Sequence, residues 1–168
     1  MTVSLYGLAA PTFLSFLDSL AHVLRKAEAH AADRKIDPEA LLKARLAPDM
    51  FHLTKQVQVT CDFAKTTMCR LAGVEAPSHP DDEQTFADLQ ARIAKARAVV
   101  AAQAADAVEE GGARIITLKL PSGEMQMPGA AYYANFAAPN FFFHLSMAYA
   151  ILRHNGVPLG KGDFFGRG

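Results

Sequence analysis

Apolar residues in this chain recur at intervals of three and four over four separate stretches, a spacing that a helix gathers onto one face and a strand scatters over both. Phe13, Leu17, Leu20, Leu24 and Ala27 mark the first stretch, and Pro11 suits the opening turn of its helix. Met50, Thr54, Val57, Cys61, Ala64, Met68 and Leu71 mark the second, predicted to run from Pro48 to about Ala72 and to stop at Gly73. Phe86, Leu89, Ile93, Ala96, Val100, Gln103 and Ala107 trace a third helix that ends before Gly111 and Gly112. The fourth spans roughly Tyr132 to Asn155, with Pro139 as a kink or restart because proline removes a backbone donor. Four such stripes imply an all-α fold, a four-helix bundle closing on one core. With 168 residues, 51% of them hydrophobic, residues 1–168 read as one domain.

The connections are legible too. Val74 to Gln84 carries two prolines and an acidic cluster, so it reads as a crossover between distant helix ends. Thr85 and Asp88 have capping-box spacing, with Asp in the place usual for Glu or Gln. Asp81, Asp82 and Glu83 suit the positive end of the helix that follows. Between the third and fourth helices the period changes: Ile115 to Leu120 is β-rich, Pro121-Ser122-Gly123 is turn chemistry, and Met125 to Met127 alternates. A small β-hairpin is expected there, lying against the bundle because two strands alone are marginal.

Charge narrows the partners. Seventeen basic and seventeen acidic residues leave no net field toward nucleic acid or anionic membrane. No Lys or Arg precedes Arg25, and Asp18 interrupts the apolar start, so neither a signal peptide nor a membrane span is expected and the location reads as cytoplasmic. Cys61 and Cys69 lie about 12 Å apart along one helix, too far for a mutual disulfide, and read as small packed residues.

Candidate chemistry centres on His144, set among Phe141, Phe142, Phe143 and Leu145. A buried imidazole is either a structural hydrogen-bonder or a ligand or acid/base group, so its neighbours decide. His52 on the second helix is a candidate metal ligand, with Asp49 and Gln56 one turn to either side. Asp49 and Gln56 border the apolar stripe, whereas His52 lies farther round. A polar pocket of Asp49, Gln56, Asn140, His144 and Tyr149 is the expected site, taking a small-molecule ligand or serving an interaction module. The alternative is a divalent-metal site (zinc, nickel or manganese) on His52 and His144, serving an enzyme. His22, His30 and His79 show no constellation. Neither a GxSxG element nor a phosphate-loop spacing is present.

Four segments carry a resemblance: L-A-P-D-M-F (Leu46 to Phe51), Gln56 to Lys65 ending C-D-F-A-K, D-D-E-Q-T-F (Asp81 to Phe86), and P-N-F-F-F-H through L-R-H-N-G-V-P-L-G-K-G-D (Pro139 to Asp163). Together they resemble a bacterial family with a domain of unknown function, grouped with the DinB/YfiT-like metalloenzymes. The resemblance implies a DinB-like four-helix bundle of up-down-down-up course and a homodimer. It also implies a divalent metal held by one histidine on the second helix and an H-x-x-x-H pair on the fourth. His52 and His144 match two of those positions, and Ala148 stands at the third, where it cannot coordinate. The implied triad is therefore degenerate, and a thiol-transferase-like or hydrolase activity would rest on His52 and His144. A structural homodimer packed through the Phe-rich helix is the remaining expectation.

Overall fold

The computed structural model describes residues 3–167. Eight α-helices and one antiparallel strand pair follow in the order α1 (Leu5–Arg34), α2 (Pro38–Leu42), α3 (Leu53–Ala72), α4 (Phe86–Ala101), α5 (Ala105–Glu110), β1 (Ile115–Leu120), β2 (Gly123–Pro128), α6 (Gly129–Tyr132), α7 (Ala138–His154) and α8 (Lys161–Phe164). A π-helical segment, Tyr133–Ala137, joins α6 to α7.

The helical stripes become the core. Phe13, Leu17, Leu20 and Leu24 of α1, Val57, Cys61, Ala64, Met68 and Leu71 of α3, Phe86, Leu89, Ile93 and Val100 of α4, and Phe141, Leu145 and Ile151 of α7 are all buried in one cluster. Half of the apolar window of α1 that is long enough to span a membrane is buried in this way. The three consecutive phenylalanines diverge: Phe141 packs edge-on against Phe13, Phe142 against Phe16, and Phe143 stays exposed beside His144.

Helix boundaries depart from the sequence expectation where tertiary groups intervene. Helix α1 begins six residues before Pro11: Ser4 Oγ accepts from Gly7 N at 2.8 Å, and the Glu109 carboxylate accepts from the Leu5 and Tyr6 amides at 3.0 and 2.9 Å. A carboxylate from a distant helix thus completes the N-terminus that the local sequence leaves open. Helix α3 starts at Leu53 instead of Pro48, because Pro48 sits second in a turn closed by Met50 N to Ala47 O at 3.0 Å, a position proline favours. The third stripe breaks after Ala101, where Gln103 Nε2 donates to Val99 O at 2.9 Å, and α5 then carries Glu109 toward α1.

The strands pair Ile115 with Pro128 through Leu120 with Gly123, with Ile116 and Leu118 turned into the core. The hairpin's base is pinned by two glycines. A Cβ on Gly111 would lie 1.9 Å from Leu71 O, and one on Gly129 would lie 2.0 Å from Gly111 O. Three backbone segments meet there at a separation only glycine permits. The chain end is anchored by buried Asp163, which accepts from Lys26 Nζ at 2.8 Å, His22 Nε2 at 2.9 Å and Gly160 N at 2.7 Å.

Candidate functional site

The last long helix presents His144 because Phe141 and Leu145 commit the neighbouring positions to the core. Its partner is Gln56, 1% exposed in the first turns of α3. Gln56 Nε2 donates to the Phe51 carbonyl at 3.2 Å, which leaves Oε1 to accept from His144 Nδ1 at 2.8 Å. This fixes the tautomer: the proton resides on Nδ1, and Nε2 carries the free lone pair of a neutral ring. Burial pushes the His144 pKa below 6.5, so the neutral form prevails at pH 7.

Aromatic rings frame the imidazole. Phe51 and Phe63 lie nearly parallel to it, at centroid distances of 6.2 and 5.9 Å, and Phe143 meets it edge-on at 5.2 Å. Phe51 and Phe143 are 48% and 53% exposed, so the rim of the site is apolar and open. The arrangement combines a hydrogen-bond acceptor of fixed orientation with flat apolar faces.

The other expected pocket residues do not join this pair. Asp49 is exposed in the turn before α3, because the helix begins later than its apolar spacing suggests. Asn140 Nδ2 donates to the Phe136 carbonyl at 2.7 Å, a group displaced by the π turn ahead of Pro139, so the side chain serves its own helix. Tyr149 lies about 140° round α7 from His144 and packs edge-on against Phe164 at 5.6 Å. The five-residue pocket reduces to Gln56 and His144.

The implied metal site fares no better. His52 is not on the helix; it is the N-cap of α3, where its Nδ1 accepts from Lys55 N at 3.3 Å. Burial and the charges of Arg45 and Lys55 lower its pKa. It lines a groove of about 850 Å³ with Glu28, Asp37, Lys55 and Asp81, and His144 is not among the groove's lining residues. Ala148 is fully buried one turn beyond His144, and Gln56 already occupies the His144 Nδ1 proton. Among the described residues no three His, Cys, Asp or Glu side chains are arranged to hold a metal ion. The residues present do not fit a divalent metal.

Sequence reasoning missed two polar clusters. Arg92, 2% exposed inside the apolar stripe of α4, pairs with Asp62 at 2.9 Å, Asp81 at 3.0 Å and Glu83 at 3.0 Å. Burial raises the Asp81 pKa less than Lys55 and Arg92 lower it. The signal was an arginine next to Leu89 and Ile93, downstream of an acidic run. His22 does have a constellation, with Lys26 and Asp163; Lys26, the Gly160 amide and His22 hold the Asp163 carboxyl far below the ordinary carboxylate range. Its signal was Asp163 three residues after Gly160, which is capping-box spacing. Neither cysteine is a nucleophile: both are buried and free, and burial pushes Cys61 up to about 12.

Residues 5–165 match the family model described as a domain of unknown function, DUF1993. A crystal structure of a DinB family member from Shewanella denitrificans is similar at 38% identity and a TM-score of 0.88, over 96% of this chain and 91% of that one. No curated protein matches the chain.

Proposed function

The chain belongs to the DUF1993 family and has a mostly helical DinB-like fold with one small antiparallel sheet; from that premise we propose that it is a metal-independent small-molecule-binding member. We take the four long helices to follow an up-down-down-up course, with the hairpin preceding the last. The observation that carries the functional reading is the 2.8 Å Gln56–His144 hydrogen bond, which joins the second and fourth long helices across the bundle. It takes up the Nδ1 proton and leaves Nε2 for recognition. Nε2 accepts a hydrogen bond from a ligand O–H or N–H, and Phe51, Phe63 and Phe143 offer their faces and edges to a flat ring. The fitting class is a planar aromatic molecule with one hydrogen-bond donor.

The test is an NMR screen of phenols, indoles and anilines against protein labelled with ¹⁵N at histidine. Hits should shift the His144 Nε2 resonance and lose binding in His144→Phe. Hits that bind the variant unchanged would remove His144 from the site. Zinc, nickel and manganese should leave the melting temperature unmoved, and a saturable rise with any of them would overturn metal independence. The exposed rings of Phe51 and Phe143 favour a second reading, a homodimer closing over the site; sedimentation at micromolar concentration separates it from a monomer.

A further inference from the structure

Residues 73–85 cross from α3 to α4 without one buried residue, so no apolar burial holds this segment down. It lies over the side of α3 that carries Lys65, about 180° round the helix from Gln56. What holds it is polar. Lys65 Nζ, on a residue 4% exposed, donates to Pro77 O at 3.0 Å and to His79 Nδ1 at 3.3 Å. Arg92 donates to Pro80 O at 2.8 Å and pairs with Asp81 and Glu83, both at 3.0 Å. Lys55 reaches Asp81 at 2.6 Å, and the Gln58 amide donates to Glu83 at 2.7 Å.

With the segment in place, Lys55, Lys65 and Arg92 balance Asp62, Asp81 and Glu83. Lifting it removes two of the three carboxylates and leaves three cations facing Asp62 alone. Arg92 Nε is buried and has no hydrogen-bond partner, so the resident carboxylates do not saturate the guanidinium. Asp81 is 40% exposed and its pairs stabilise weakly, whereas the Arg92–Glu83 pair is buried, at 1% and 8% exposure, and is the strongest hold on the segment. The segment carries no apolar burial beyond it, so opening costs less than unfolding the bundle. An exposed arginine with two nearby lysines matches the geometry and charge of an oxyanion.

We propose that residues 73–85 are a charge-latched strap that opens as a unit and covers an oxyanion site of Lys55, Lys65 and Arg92, its Asp81 and Glu83 giving way to a phosphate-bearing small molecule. This site is separate from the Gln56–His144 pair and does not rest on the reading given to that pair.

The two cysteines report on opening. Cys61 and Cys69 are buried one turn before and one turn after Lys65 on the same side of α3. Cys61, though near Arg92 and Glu83, is locked in the main core cluster, whereas Cys69 stands outside it. Wild-type protein is treated with a small thiol reagent in sodium pyrophosphate or in sodium chloride of equal ionic strength, and the labelled cysteine is located by mass spectrometry. Cys69 should react faster than Cys61. Its rate should rise with pyrophosphate, about tenfold at ten times the dissociation constant for the open form, and rise less with chloride. Asp81→Asn should speed Cys69 labelling several-fold without pyrophosphate and leave Cys61 unchanged. Equal rates at the two cysteines, or a variant that speeds both together, would overturn the strap; chloride matching pyrophosphate would overturn the oxyanion site.

Discussion

Replacing Gln56 by glutamate places a carboxylate against His144 Nδ1 with little change of shape, and the consequence can be worked from the geometry. The existing Oε1–Nδ1 distance is 2.8 Å, which puts the two charge centres about 4 Å apart. At an effective dielectric constant of ~20 that attraction is about 4 kcal/mol, or about three pH units of bias toward the imidazolium. Burial opposes it, since Gln56 is 1% exposed and a carboxylate there loses solvation, and so does the Phe51 carbonyl, which loses the Nε2 donor and faces a carboxylate oxygen instead. Solvent reaching the half-buried ring reduces it again. A net rise of about one to two units in the His144 pKa is expected.

The sign of the stability change follows. In the wild type His144 titrates below 6.5, so the unfolded chain takes the proton first. That contribution to stability is intact above the unfolded value and is lost as pH falls through the lowered folded value. His52 and His79 shift the same way, so wild-type stability should decline in mildly acid solution. In Gln56→Glu the acid-side loss shrinks, and once the folded value passes the unfolded one the His144 contribution reverses, being fully present below the unfolded value and lost as pH rises through the folded one. Relative to the wild type, the variant should gain about 1 to 3 kcal/mol on going from alkaline to mildly acid pH. Long-range ¹H–¹⁵N correlation spectra across a titration give the midpoint directly, and urea unfolding at several pH values gives the stability difference. A His144 midpoint that stays put or falls would refute the contact between the two side chains.

Two further outcomes test the scaffold. Gly111→Ala should destabilise the fold by about 3 kcal/mol or more, because the new methyl group would sit 1.9 Å from a backbone oxygen that cannot rotate away; a chemical-denaturation midpoint within error of wild type would contradict that packing. Asp163→Asn should cost about 1 to 3 kcal/mol through the loss of charge on the acceptor shared by Lys26 and His22. It should also speed proteolysis after Lys161, and unchanged cleavage would mean the anchor does not hold the chain end.

Much of the core was readable in one dimension. Leu17, Leu24, Val57, Met68, Leu89 and Ile93 are buried because helical spacing aligns them, and the alignment holds whatever the helices pack against. The Thr85–Asp88 capping box formed for the same reason: both bonds, 3.1 and 2.9 Å, lie within one turn. Pro11 and Pro48 each suit a helix start by local sequence, but Glu109 extends α1 past one and a turn claims the other. Arg92 went unnoticed because its acids come from α3 and from the crossover, up to thirty residues away in sequence.

The candidate site divides along the same line. Sequence alone determined that Phe143 would neighbour His144 and that Ala148 could not ligate, whereas the Phe51 and Phe63 rings reach the imidazole only through tertiary packing. Only the tertiary structure decided which polar residues meet. Gln56 faces His144 because α3 packs against α7 in one particular register, and His52 turns away because it caps the helix instead of riding on it. Burial on a helix is a local periodic property, whereas a contact 88 residues apart depends on how two helices are rotated against each other, and only the packed core sets that rotation.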